Sequence, residues 1–379
     1  MRDMIHPFPP YSRCSNNTGV KVPILESPDR IDVQDPKQAH SKTINQSSLN
    51  TARVHDEALE TLYYNVWHQG TPGKDTAPAV RLLIERLRDD LIQDKDELLL
   101  LLAYIARGNS YMDTGQRLAN GTVEWERQEH TDRFVQDGDC VQNVYEAVRE
   151  GVEVYLDLLK HGEAAIRMCA AYTLGCFKEY AAAIIPVLHV YIAAEEDELA
   201  GSSMLLSLGT LSAEYDLTSQ QLLLEALKGE GSDLVKLAAA LALARLNRHD
   251  MPAEAVRVLV DTLVKTGPVA DLYLELPWTD SCLVDDISNA FYGLGPQAGS
   301  AAIPMLIEAF GTATSHSLLG IADVLLHLAF KGERINTDIT APTLTSEQRL
   351  VLTTIANSSS AWVINIINKG KVLSKRQAA

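Results

Sequence analysis

The side chains best equipped for chemistry sit together in one short connection, Trp67-His68-Gln69-Gly70-Thr71-Pro72-Gly73. An imidazole that titrates near neutrality can donate or accept a proton, and an adjacent indole offers a stacking surface for a ligand. Downstream, LLLLLAYIARGN reads as a helix that brings Tyr104, Arg107 and Tyr111 out near one end. Trp67, His68, Gln69, Tyr104 and Arg107 are therefore the candidates for a small-molecule or catalytic site. The turn also has a purely structural assignment, in which Trp67 plugs the core, His68 and Gln69 cap helix-end carbonyls, and Gly70 makes the reversal. Both assignments stand at this stage.

Other chemistry-bearing residues carry weaker patterns. His189 and His327 have no second ligand three or four residues further on, so they are expected to be satisfied histidines rather than metal ligands. Five cysteines occur without CxxC spacing, and Cys169 and Cys176, seven apart on one helical face, are expected as small buried residues in a reducing compartment. Glu195-Glu196-Asp197-Glu198 is a charge run suited to a solvated turn or to a basic partner. No phosphate loop, metal-ligand spacing, nucleophile constellation or cofactor fingerprint occurs, so no metal or cofactor is expected.

These residues need elements to position them, and the clearest lie in Gly162 to Ile192. Ile166, Cys169, Ala170, Leu174 and Phe177, then Ile184, Leu188 and Ile192, recur at helical steps, giving two helices with one apolar stripe each. Gly175 and Lys178-Glu179-Tyr180 mark the reversal between them, and Pro186 is placed early in the second helix. Such a hairpin is too small to stay dry alone, so neighbours must cover it. The Leu-Gly pair at 174–175 recurs at 208–209, a spacing of 34, and again at 294–295. Ala301-Ala302-Ile303-Pro304 repeats the pattern Ala183-Ile184-Ile185-Pro186.

The fold expected is all-α: an α-solenoid, a superhelix of stacked helix hairpins. Residues 1–53, rich in Pro, Ser, Asn and Asp, are expected as an unstructured leader. The solenoid should span 54–362, with insertions near 109–140 and 267–281, and 363–379 as a partly frayed end. Helical pieces are expected near Val123 to Phe134 and over Val141 to His161, the latter broken at Gly151. Ser346 is taken as the start of a late helix without a capping box.

The succession YYNVWHQGT, LLLLLAYIARG, VYEAVREGVEVYLDLLKHG and RMCAAYTLGCFKEYAAAIIPVL resembles a family of HEAT-repeat proteins that carry a His-Gln-Gly-Thr turn in the first repeat. The resemblance covers roughly residues 54 to 266 and implies the fold and little chemistry. Three HEAT-like enzyme classes share this repeat and differ in what their chemistry needs. Deoxyhypusine hydroxylases bind iron through His-Glu dipeptides, and this chain has none. Phycobilisome-type lyases share the repeat without a matching local signature here. Alkylpurine glycosylases need a basic DNA-binding surface.

Charge decides the last point. With 50 acidic and 33 basic residues the formal net charge is −17, which repels nucleic acid and anionic membranes and favours a basic or neutral protein partner. No apolar run reaches the roughly 18 residues of a membrane span, and no signal core opens the chain, so a cytoplasmic location is expected. The leading expectation is a non-catalytic scaffold that binds a protein in a concave groove lined by Arg81, Glu85, Gln221, Glu225, Arg257 and Asp261. The Trp278 insertion would add a specificity loop. The alternative is the site around Trp67, His68 and Arg107, lyase-like by distant resemblance.

Overall fold

The computed structural model describes residues 67–68, 71–72, 76–107, 131–213, 216–247, 251–265, 267–278, 282–313, 315–331 and 344–357, and these residues are helical apart from one small ladder. The expectations for the leader, for residues 109–130 and for the C-terminal end lie outside the described residues. The ladder pairs β1 (Trp67–His68) with β2 (Thr71–Pro72), antiparallel, with Trp67 opposite Pro72 and His68 opposite Thr71. The second strand packs against the helix Thr131–Arg149.

In chain order the helices are α1 (Thr76–Leu87), α2 (Lys95–Ala106), α3 (Thr131–Arg149), α4 (Val152–Leu158), α5 (Ala164–Leu174) and α6 (Ala181–Ile192). They continue with α7 (Glu198–Leu211), α8 (Leu217–Lys228), α9 (Asp233–Leu246), α10 (Ala253–Val264) and α11 (Gly267–Tyr273). The series closes with α12 (Leu283–Tyr292), α13 (Pro296–Thr312), α14 (Ser315–Phe330) and α15 (Ser346–Ala356). Gly151 separates α3 from α4 as its position in the pattern requires. The excursion expected at 109–140 is helical from Thr131 onward.

Packing follows chain order. Helices α2, α5, α7 and α9 touch successively to form a central row, α8 and α10 pack on α9, and α12 to α15 continue the stack. Residues Met168 to Leu174 of α5 and Ser202 to Gly209 of α7 are buried without a break. The single apolar stripe expected for α5 is therefore wrong: this helix is covered all round. The reason is residue size. Ala170, Ala171, Gly209 and the alanines of α9 let backbones approach closely, and a Cβ on Gly209 would lie 2.5 Å from the Ala242 Cα.

Three hydroxyls in this dry row are satisfied by carbonyls on the preceding helix, as burial demands, while Ser202 Oγ is buried with no protein partner. Thr173 Oγ1 donates to Leu99 O at 3.1 Å as well as to Cys169 O at 2.8 Å. Ser203 Oγ donates to Met168 O at 2.8 Å and Ser207 Oγ to Ala171 O at 2.5 Å. Aspartates cap the starts of α7 and α8. Asp197 Oδ1 accepts from the amides of Leu199 and Ala200, and Asp216 Oδ1 from that of Ser219.

Three local expectations need correction. Pro186 is the sixth residue of α6, not an early one, so the helix does without one internal amide donor. The three Leu-Gly pairs play different parts: Gly175 caps the end of α5, Gly209 lies inside α7, and Gly295 caps the start of α13. The start of α15 is a full capping box, with Thr345 as the cap. Gln348 N donates to Thr345 Oγ1 at 3.1 Å, and Thr345 N donates to Gln348 Oε1 at 3.0 Å.

Candidate functional site

At the ends of the row, four separate parts of the chain bring aromatic and cationic side chains together. Helix α2 presents Tyr104 and ends at Arg107, α5 presents Tyr172, α9 presents Arg245, and the segment after α11 presents Trp278. Arg107 Nη1 donates to Tyr172 Oη, and its guanidinium carbon lies 5.4 Å from the centre of that ring. Tyr104 meets Tyr172 edge-on at 6.4 Å. Trp278 meets the same ring edge-on at 5.0 Å, and the Arg245 guanidinium carbon sits 5.0 Å from the indole centre. The indole N–H donates to Ser203 Oγ at 3.0 Å. Arg245 Nη1 donates to Thr210 Oγ1 at 3.1 Å and to Leu206 O at 3.4 Å.

This cluster is built for contact. Burial pushes the Tyr172 phenol well above its ordinary value, with the Arg107 charge opposing, so it stays neutral and serves no base chemistry. The Ser203 hydroxyl gives its proton to a carbonyl and accepts from an indole, so its proton is committed. Alternating cations and ring faces or edges hold one another instead.

The residues singled out by sequence divide accordingly. Tyr104 and Arg107 do sit together, through Tyr172. Trp278, expected on a separate specificity loop, joins them. Trp67 and His68 contribute a hairpin whose second strand packs on α3, while their side chains and all of Gln69 lie outside the described residues. Arg257 and Asp261 are exposed one turn apart on α10, and neither is among the residues of the cluster. Arg81 forms a two-pronged ion pair with Glu150, Nε to Oε2 and Nη2 to Oε1 both at 2.8 Å, and Gln221 Nε2 donates to Glu225 Oε1 at 2.9 Å. Tyr172, Ser203 and Arg245 were missed. The serines of GSSMLLSLG, four apart in an otherwise apolar helix, were the available signal.

Elsewhere, titratable groups are tied into structure. His189 Nε2 lies 2.9 Å from Ser219 Oγ, and Ser219 Oγ donates to Asp216 Oδ2 at 2.7 Å. With the serine proton spent on the carboxylate, the imidazole must be the donor, so the trio staples α6 to the cap of α8 rather than activating a nucleophile. His327 packs on the Tyr292 ring at 4.5 Å, and Tyr292 Oη donates to Asp323. Asp323 lies one turn before His327, and both meet the same tyrosine. Among the described residues no group of three His, Cys, Asp or Glu is placed to hold a metal ion.

The acidic run borders an open groove of about 560 Å³ with Gly201, Ala226, Ser232 and Val235. Two of its members have structural tasks. Asp197 caps α7, and Glu195 accepts from Arg167 Nη2 at 2.6 Å and Nε at 2.7 Å. Burial pushes the Cys169 thiol up, and pushes Cys176 up to about 12 with Arg107 partly opposing, so neither is a thiolate nucleophile.

No family model and no curated protein sequence matches this chain. The chain is similar to a solved crystal structure of an engineered protein from the Northeast Structural Genomics Consortium, at 19% identity over 87% of this chain and 92% of that one, with a TM-score of 0.32. Among the described residues no helix is long and apolar enough to cross a membrane. The class defined by these observations is an all-α protein of consecutively packed helices.

Proposed function

We propose that this chain is a non-catalytic scaffold, a helical-repeat solenoid of HEAT type, that binds a protein partner along its central row. The observation that carries the proposal is the convergence of Tyr104, Arg107, Tyr172, Arg245 and Trp278 at the ends of α2, α5 and α9 and on the segment after α11. Tyr, Trp and Arg are the residue types that dominate binding energy at protein interfaces. Stacked helix pairs give an extended surface for them to work on. A net charge of −17 selects a partner of basic or neutral character.

The test is quantitative capture followed by variants. Cross-linked partners of the wild-type protein are compared with those of Arg107→Ala, of Arg257→Ala with Asp261→Ala, and of His68→Ala. Loss of the same partner with the first or second variant supports the scaffold. Retention in both, with loss only in His68→Ala, moves the site to the hairpin and ends this assignment.

A further inference from the structure

Between α10 and α12, where a stacked array needs only a turn, the chain inserts α11 and four residues that lead to Trp278. This segment is anchored at its base. Tyr273 and Leu276 are buried, and Tyr273 Oη donates to Asp286 Oδ2 on α12 at 2.9 Å. Between these anchors Leu274 is 46% exposed, and beyond the buried Pro277 the half-buried Trp278 lies across α5, α7 and the end of α9.

The surface under Trp278 is a shaped slot. Gly175 forms its floor, since a Cβ there would come within 2.7 Å of the Trp278 Cη2. Tyr172 forms one wall and Arg245 another, and Ser203 Oγ offers an acceptor at the depth of the indole N–H. Each of these groups is also held without the indole. Ser203 is fixed by Met168 O, Arg245 by Thr210 and Leu206 O, and Tyr172 by Arg107. The slot is therefore preorganised, and an aromatic ring whose edge carries an N–H is what it fits.

We infer that residues 267–278 form a strap that fills this slot in cis, and that the slot receives a tryptophan presented by the partner once the strap lifts. The inference rests on the scaffold assignment for the partner and on the slot geometry for the ligand. A tethered indole outcompetes a free one through its high effective concentration, so the strap sets a threshold for docking.

The experiment uses full-length protein and, as probe, a labelled peptide with the sequence of residues 267–281, GPVADLYLELPWTDS. Trp278→Ala binds the peptide, and the wild type binds it about tenfold or more weakly because its own indole occupies the slot. A peptide with alanine for its tryptophan does not bind, and Gly175→Leu in the Trp278→Ala background abolishes binding by filling the floor. Equal affinity for wild type and Trp278→Ala, or no binding to folded Trp278→Ala, overturns the inference. Should that variant fail to fold, hydrogen exchange on the wild type decides. Strap amides exchanging about tenfold or more faster than those of α7 and α9 support opening, and equal rates overturn it. Peptide binding without any captured protein would retire the scaffold assignment alone. A captured partner indifferent to Trp278→Ala and Gly175→Leu would retire the strap alone.

Discussion

Replacing Glu195 by glutamine gives the sharpest test of how the row is held. Glu195 and Arg167 are paired with side chains only 5% and 17% exposed. Arg167 meets both carboxylate oxygens, at 2.6 and 2.7 Å, and spends Nη1 on the carbonyls of His161 at 2.8 Å and Gly162 at 3.0 Å. Glu195 Oε1 also accepts from Asp197 N at 3.0 Å. One pair thus fixes the connection before α5 to the connection before α7. Glu195→Gln keeps the shape but leaves a largely buried guanidinium without its counter-charge, at a cost of about 3 kcal/mol, the low end for breaking a buried pair. Replacing both partners by apolar residues of similar volume should cost less than either single change.

The same pair predicts a pH dependence. Burial alone would raise the Glu195 carboxyl, but the Arg167 hydrogen bonds, the Asp197 amide and the guanidinium charge outweigh it, so the folded value lies below the ordinary one. Stability from this group is therefore complete above the unfolded value of about 4.3 and is lost as pH falls through the lower folded value. Urea unfolding of wild type and Glu195→Gln should differ by a constant amount near neutrality, and the gap should close in acid as the wild-type carboxyl takes up its proton. A gap under about 0.5 kcal/mol at pH 7, the range of ordinary surface substitutions, or one that does not narrow in acid, refutes the reasoning.

Further outcomes follow from local geometry. Gly209→Ala forces a methyl against the Ala242 backbone and should lower stability by about 1–3 kcal/mol in urea titration, with Gly209→Val worse. Thr345→Ala removes the capping-box hydroxyl and should cost about 1 kcal/mol, read as a shift in the melting of α15 by hydrogen exchange. With Cys176 raised to about 12 and Cys169 buried, mass spectrometry after alkylation at pH 8 should find both thiols unmodified in the folded protein and modified after unfolding.

The helices were legible because helical periodicity is local. Val80, Leu83, Ile84 and Leu87 recur at helical steps and are all buried on α1, and the alanines and leucines from 238 to 244 are buried throughout α9. Leu319, next to the buried Leu318 in α14, is 45% exposed, since neighbouring leucines cannot share one narrow stripe. The cluster was half legible: Tyr104 and Arg107 share a helix end, but nothing local ties them to Trp278, 171 residues after Arg107. Gly175 read as a helix stop because that role is visible in sequence, whereas the room it leaves for an indole depends on a distant insertion. The capping box was missed by one position, since Ser346 is an equally good cap by residue type and only the Gln348 spacing from Thr345 distinguishes them.

The side-chain-to-backbone ties between the row helices share a direction. Thr173 reaches back to Leu99, Ser203 to Met168, Ser207 to Ala171 and Arg245 to Leu206, so in each case the later helix carries the donor and the earlier one the backbone acceptor. A ribosome releases the chain in that order, so each of these four donors emerges after its acceptor. Shortening the gene from its 3′ side should therefore leave the Thr173 hydroxyl of α5 satisfied, whereas loss of α5 would strand those of Ser203 and Ser207 on α7.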